Sequence, residues 1–258
     1  MPEKSYKKKH LTSFQLIILG FAGVILLGSI LLMLPFSSVD RIATPFHEAL
    51  FTATSAVCVT GLVVVDTWSQ WTLFGQLVIL VMIQIGGLGF ITVGIFVSII
   101  LRRRIGLKQR GLMQESMSAL KIGGIVKLAK KIILGTFILE VTGAVLLAFR
   151  FVPQYGPLKG IFYGIFHSIS AFCNAGFDLM GNQEPYSSFV AYYDDWLVNL
   201  VIMTLIIVGG IGFIVWDDVS THKWKVKKYL LQTKVVLLAT AVLACWLTRR
   251  LVQPINHL

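Results

Sequence analysis

Two eight-residue stretches limit what this chain can fold into. Ser55-Ala56-Val57-Cys58-Val59-Thr60-Gly61-Leu62 returns downstream as Ser170-Ala171-Phe172-Cys173-Asn174-Ala175-Gly176-Phe177. The shared Ser-Ala-x-Cys-x-x-Gly pattern keeps one offset of 115 residues, from Ser55 to Ser170 and from Gly61 to Gly176 alike. A short apolar run leads into each copy, residues 46–56 and 161–171. About eleven residues of helix rise only about 16 Å, roughly half of a bilayer core. Each run is therefore too short to cross, yet each sits between stretches long enough to do so. The economical reading is a helix that enters the membrane, stops, and returns as extended backbone. Non-helical backbone at that depth is tolerated only where it is buried in protein or lines a water-filled path. The glycine-bearing return is thus the candidate site, and its chemistry reads as a cation filter.

Composition decides the solvent. Of the 258 residues, 56% are hydrophobic and 14% charged, against about 25% charged in ordinary soluble domains. The net charge of +11 could suggest a nucleic-acid partner, but the basic residues lie in blocks between long apolar runs, where they are topology signals first. No nucleic-acid partner is expected. Cys58, Cys173 and Cys245 are odd in number and form no CxxC pair, so neither a disulfide framework nor a zinc site is indicated. Cys58 and Cys173 hold equivalent positions and could be bridged; two small residues packed behind a filter is the favoured reading.

The chain divides as follows. Residues 1–13 are polar and basic. Residues 14–101 form a first unit: a span over 14–34 closed by Pro35, a half-helix, the filter, and a second apolar stretch over 72–101. Thr44 and Pro45 are expected to open the half-helix as capping residue and first helical position, with Glu48 in its first turn. Residues 102–131 are a basic loop of nine cations, read as a topology determinant touching lipid headgroups or as a docking site for a regulatory subunit. Residues 132–217 repeat the unit, with spans over 132–149 and 197–216. Residues 218–234 are a second basic loop, and 235–258 carry the first span of an incomplete third unit. The fold expected is an all-α membrane protein of repeated span–re-entrant half-helix–filter–span units, two complete and a third begun. The basic bias places the N-terminus in the cytoplasm of a multi-pass plasma-membrane protein, with filters opening outward.

The filter assignment has a physical basis. A bare monovalent cation must recover its lost hydration energy, and inward-pointing backbone carbonyls can supply it. The half-helix preceding each return directs its partly negative C-terminal end inward, which favours cations. The coordinating backbone is expected at Val59, Thr60, Gly61 and Leu62, and at Asn174, Ala175, Gly176 and Phe177. Gly86-Gly87-Leu88-Gly89-Phe90 and Gly209-Gly210-Ile211-Gly212-Phe213, 123 residues apart, read as close helix packing, with a pore-shaping bend as the alternative. Glu140, ionisable within a span, is a functional candidate by default. It either stabilises a half-helix or binds a coupling ion. His47 and His167 are not at equivalent positions, so paired metal ligation is not expected. No catalytic constellation and no cofactor site appear, so the chain does not read as an enzyme.

These residues resemble a known family. Thr54-Ser55-Ala56 through Thr60-Gly61-Leu62, followed by Val64-Val65-Asp66-Thr67, is similar to the first filter of the Trk/Ktr/HKT potassium transporters. Gln84-Ile85-Gly86-Gly87-Leu88-Gly89-Phe90 fits the inner helix that follows. His167-Ser168-Ile169-Ser170-Ala171-Phe172 with Asn174-Ala175-Gly176-Phe177 fits the second repeat. The resemblance is closest to the membrane subunit of Ktr-type uptake systems. It implies a four-repeat pore with one signature glycine per filter, potassium as transported ion and sodium as a candidate coupling ion. It further implies a homodimer of membrane subunits seated on a cytoplasmic nucleotide-binding ring. Against that pattern the chain stops one span into the third repeat, and a truncated or split product is expected. A non-conducting membrane scaffold or partner-binding fragment is the alternative.

Overall fold

The computed structural model describes residues 12–89, 125–182, 184–223 and 225–252. Among them the regular structure is helical, with one isolated antiparallel bridge between Ser38 and Trp71. Helix α1 (Ser13–Met33) starts from a reciprocal capping box, Thr12 accepting from the Gln15 amide while the Gln15 side chain accepts from the Thr12 amide. Pro35 stops it, since proline cannot donate to the continuing ladder. Helix α2 (Phe46–Val57) is the first short element, followed by one turn, α3 (Thr67–Gln70), and by α4 (Leu73–Leu88). Helix α5 (Ile125–Tyr155) leads into α6 (Pro157–Phe172), and α7 (Trp196–Gly210) into α8 (Phe213–His222) and α9 (Leu231–Val252).

Several boundaries differ from the sequence expectation. Pro45 is the N-cap of α2 rather than its first helical residue, and Thr44 makes no capping bond. The second short helix begins at Pro157, not residue 161, because the positive-φ residue Gly156 (φ 82°, ψ 166°) sets a sharp corner and Pro157 supplies a ready first helical position. Helix α5 takes in residues 125–131 of the expected basic loop. The 197–216 stretch is not one straight span: α7 and α8 are bent by 92° across Ile211 and Gly212. The expected 72–101 span is described to Gly89, with its remainder, including Phe90, outside the described residues, as are 1–11 and most of the 102–131 loop.

Among the described residues two helices, Gln15–Met33 and Val126–Tyr155, are long and apolar enough to cross a membrane, and the bent α7–α8 pair makes a third if counted as one span. Their large apolar side chains face outward, Phe137 65% and Phe149 71% exposed. Inside lies a core of Leu32, Trp71, Ile79, Ile83, Phe151 and Phe166. It joins α1, α2 and α4 to α5, α6 and α7, and it takes in one face of each short helix.

Candidate functional site

The two short helices end in the same way. After Val57 the Cys58 amide bonds the Thr54 carbonyl at 2.8 Å, Val59 bonds Ala56 at 3.3 Å and Thr60 bonds Ser55 at 3.0 Å. After Phe172 the corresponding bonds run from Cys173 to Ile169, Asn174 to Ala171 and Ala175 to Ser170, at 2.9, 3.0 and 2.8 Å. This is the Schellman closure, in which two amides beyond the cap return to the last-turn carbonyls around one left-handed residue. Val59 (φ 56°) and Asn174 (φ 58°) occupy that left-handed position. Asparagine tolerates it; a β-branched valine there is a conformational outlier.

Two residues on, Gly61 and Gly176 share a φ of 72°. They also face each other. A Cβ on Gly61 would stand 2.5 Å from the Ala175 carbonyl oxygen and 3.1 Å from the Gly176 Cα. Neither conformation nor space admits a side chain at Gly61. Both glycines line a recess of about 210 Å³ together with Asp66, Asp178 and Tyr186.

The returning strands are held differently. In the second, Ala175, Phe177 and Leu179 are buried while Asn174 and Gly176 are exposed, the alternation of an extended chain. The Ser170 hydroxyl donates to the Phe177 carbonyl at 2.6 Å, which commits one lone pair of that oxygen to the protein. In the first, Thr60, Leu62, Val63 and Val64 are exposed, Val59 and Gly61 half-buried. There Ser55 and Thr60 share a hydroxyl–hydroxyl bond of 2.9 Å. Farther along, Asp66 accepts from the Ser69 and Tyr186 amides at 2.9 and 3.1 Å. The offsets of 115 and 123 place eight extra residues between the second strand and α7, and Tyr186 in that connection reaches back onto the first strand.

The glycine clusters meet the short helices from the other side. A Cβ on Gly86 would collide with the Val57 carbonyl oxygen, and one on Gly209 with the Phe172 carbonyl oxygen. Val57 and Phe172 are the last residues of α2 and α6, so each long helix passes against the end of a short one. Gly87 makes room for the Cys173 side chain. Gly89 and Gly212, at φ 80° and 89°, stand where α4 and α7 end. Close packing and bending, alternatives at the sequence level, are thus divided among glycines of one cluster.

Glu140 is 6% exposed and has a partner the sequence did not suggest. Its two carboxylate oxygens accept from the Gln84 amide at 2.9 and 3.1 Å, and its backbone carbonyl accepts from the Ser168 hydroxyl at 2.7 Å. It therefore ties α5 to α4 and α6. His47 is exposed and stands 3.8 Å from Glu48, whereas His167 is fully buried behind the second strand. Among the described residues no group of three His, Cys, Asp or Glu side chains could hold a metal, and the three cysteines are free.

Apolar helices with outward-facing apolar side chains, and short helices that stop inside the core and return through glycine, define a helical membrane protein. The chain belongs to the TrkH family of cation transport proteins, the match covering residues 2–249. It is 42% identical to the potassium/sodium uptake protein NtpJ of Enterococcus hirae over 93% of this chain and 52% of that one. It is 44% identical to the Ktr system potassium uptake protein B of Bacillus subtilis, over 93% and 52%. Against the Ktr system potassium uptake protein B of Vibrio alginolyticus the values are 40%, 89% and 49%. The chain spans about half the length of the curated relatives it matches.

Proposed function

We propose that this chain supplies part of the ion path of a potassium-uptake membrane subunit. The carrying observation is the pair Gly61 and Gly176, at equal φ, on strands closed by the same three hydrogen bonds and in contact with each other. In this reading the chain is organised as two span–half-helix–filter–span repeats and the first span of a third. Its units are 14–101, 132–217 and 235–258, joined by basic loops at 102–131 and 218–234. The backbone of Val59, Thr60, Gly61 and Leu62, with that of Asn174, Ala175, Gly176 and Phe177, replaces the hydration shell of potassium. The C-terminal ends of α2 and α6 add partial negative charge beside it.

Glu140 belongs to the frame behind the path, since both its oxygens are engaged by Gln84. The N-terminus and the basic loops lie in the cytoplasm and the strands open outward. Sodium is the candidate coupling ion, in keeping with the E. hirae relative being a potassium/sodium uptake protein by name. A homodimer on a cytoplasmic nucleotide-binding ring is the assembly that the family resemblance implies.

The test is a chimera in which this chain replaces the matched half of the B. subtilis relative, expressed in cells lacking potassium uptake. Growth at low potassium is expected for the chimera, and none for the 258-residue chain alone, whose two proposed strands make half of the four-filter pore that the family resemblance implies. A well-expressed chimera that does not restore uptake overturns the assignment and leaves the non-conducting scaffold.

A further inference from the structure

His167 has no part in the ion path as drawn above, yet it is one of the most completely buried large side chains, 1% exposed. It projects from α6 into a cage of Phe151, Tyr163, Phe166 and Phe189, with ring centroids 4.8 to 6.0 Å away. Both ring nitrogens are engaged. Nδ1 lies 2.7 Å from the Tyr163 carbonyl oxygen, and Nε2 lies 3.0 Å from the Leu179 amide.

The partners dictate the tautomer. A backbone amide can only donate, so Nε2 must carry a free lone pair. A carbonyl can only accept, so Nδ1 must carry the proton. One neutral imidazole, in one tautomer, satisfies both. Its anchor, Leu179, is two residues beyond Phe177, and Ser170 on the same helix grips the Phe177 carbonyl. The return strand is therefore tied to its own half-helix at two backbone groups. The ties matter because a cavity of about 250 Å³ adjoins Asn174, Gly176, Phe177 and Asp178, leaving one side of the strand unpacked while Ala175 and Leu179 are buried on the other.

Among the described residues the first strand is tied differently: the Ser55 hydroxyl of α2 meets the Thr60 hydroxyl rather than a backbone group of the strand. At Thr52, 115 positions before His167, the buried hydroxyl has no hydrogen-bond partner among the described residues.

We propose that His167, as the neutral Nδ1–H tautomer, is a positioning residue that holds the second return strand in its ion-coordinating form. The proposal rests on the filter reading of Asn174, Ala175 and Gly176. It assigns the two filter strands unequal support, with the second set by a side chain of its half-helix.

Two replacements separate the hydrogen bond from the ring. His167→Phe keeps an aromatic ring in the cage and removes the acceptor for Leu179. His167→Gln loses the ring but can place its Oε1 near the Nε2 position. In the purified chain, Leu179 amide exchange is expected to quicken roughly ten-fold in His167→Phe, the scale of one lost buried hydrogen bond. It is expected to stay near the native rate in His167→Gln. Nitrogen-15 spectra of the native imidazole should show the proton on Nδ1. In the chimera, uptake of potassium and sodium measured separately should show a reduced potassium preference for His167→Phe and a largely retained one for His167→Gln.

A proton on Nε2, or an unchanged Leu179 exchange rate in His167→Phe, overturns the tether. Faster exchange with an unaltered ion preference overturns the positioning role and leaves a structural one. If the native chimera does not transport at all, the filter reading fails, and exchange and imidazole spectra still decide whether the tether exists.

Discussion

Gly61 and Val59, two residues apart, show opposite solutions to the same backbone demand. Gly61 meets φ 72° at no steric cost, whereas Val59 accepts φ 56° with a branched side chain that packs toward Gly86. A left-handed conformation costs a side-chain-bearing residue about 1–2 kcal/mol. Val59→Asn, which installs the residue found at Asn174, is expected to raise the stability of the purified chain by about 1 kcal/mol. A thermal melt in detergent checks this, and no gain would mean that the valine contact with α4 outweighs the strain. Gly61→Ala should do the reverse. It adds the left-handed penalty and a Cβ 2.5 Å from the Ala175 carbonyl. Lower melting and, in the chimera, weaker preference for potassium over sodium are expected. Gly23→Ala is the proper comparison, since a Cβ there meets nothing within 4 Å. It should leave the ion preference untouched, and a shift as large as that of Gly61→Ala would remove Gly61 from the path.

Helix ends carry the next set of effects. From sequence alone, a substitution at Gly86 should lower yield and spare selectivity, because packing glycines lie away from the filter. The packing itself gives a reason to expect otherwise: Gly86 and Gly209 abut the terminal carbonyls of α2 and α6, whose caps lead directly into the strands. Gly86→Ala and Gly209→Ala are each expected to shift the potassium-to-sodium uptake ratio, and unchanged ratios with lowered expression would restore the packing-only view. At the opposite end of α7, Asp195 caps the helix by accepting from the Val198 amide at 3.1 Å and pairs with Arg150. An exposed ion pair contributes at most about 1 kcal/mol, whereas losing a cap costs about 1 kcal/mol reliably. Asp195→Ala should therefore destabilise clearly, and Asp195→Asn, which keeps a capping oxygen, much less.

Burial alone would raise the Asp195 carboxyl. The Val198 amide and the Arg150 guanidinium outweigh it and hold the group below the ordinary value of 3.8. A depressed carboxylate stabilises the fold above its unfolded value and loses that contribution as pH falls through the lower folded value. The native chain should thus lose stability below about pH 4 more steeply than Asp195→Asn, as parallel melts at descending pH would show.

Taken whole, the molecule is unevenly covered. Helix α6 is buried on most sides, while α9 packs chiefly on α8 and leaves Leu231, Leu238 and Trp246 exposed. Orientation follows from charge distribution rather than packing. In a background lacking the native cysteines, Glu184→Cys should react with impermeant thiol reagent in intact cells and Lys225→Cys should not. Both positions are exposed, so reactivity reports sidedness and not burial. The opposite pattern would invert the topology and turn the strands toward the cytoplasm.

What the sequence determined by itself was set by local rules. The doubled Ser-Ala-x-Cys-x-x-Gly pattern specified where each short helix stops, because helix closure depends on a left-handed residue and a glycine at short range. The family was legible for the same reason, since its motifs are contiguous. The boundaries were less so, as Gly156 and Pro157 illustrate, because a corner glycine is read only once its φ is known. Tertiary structure alone decided the pairings across distance. Gly61 against Gly176, Gly86 beneath Val57, Gln84 on Glu140, Tyr186 on Asp66 and His167 on Leu179 all join residues that no local spacing links. Gly61, Gln84 and Asp66 meet partners from the other unit, while Gly86 with Val57 and His167 with Leu179 join separate elements of one unit; a glycine, an amide or an imidazole has the same local preference whichever neighbour the fold presents to it.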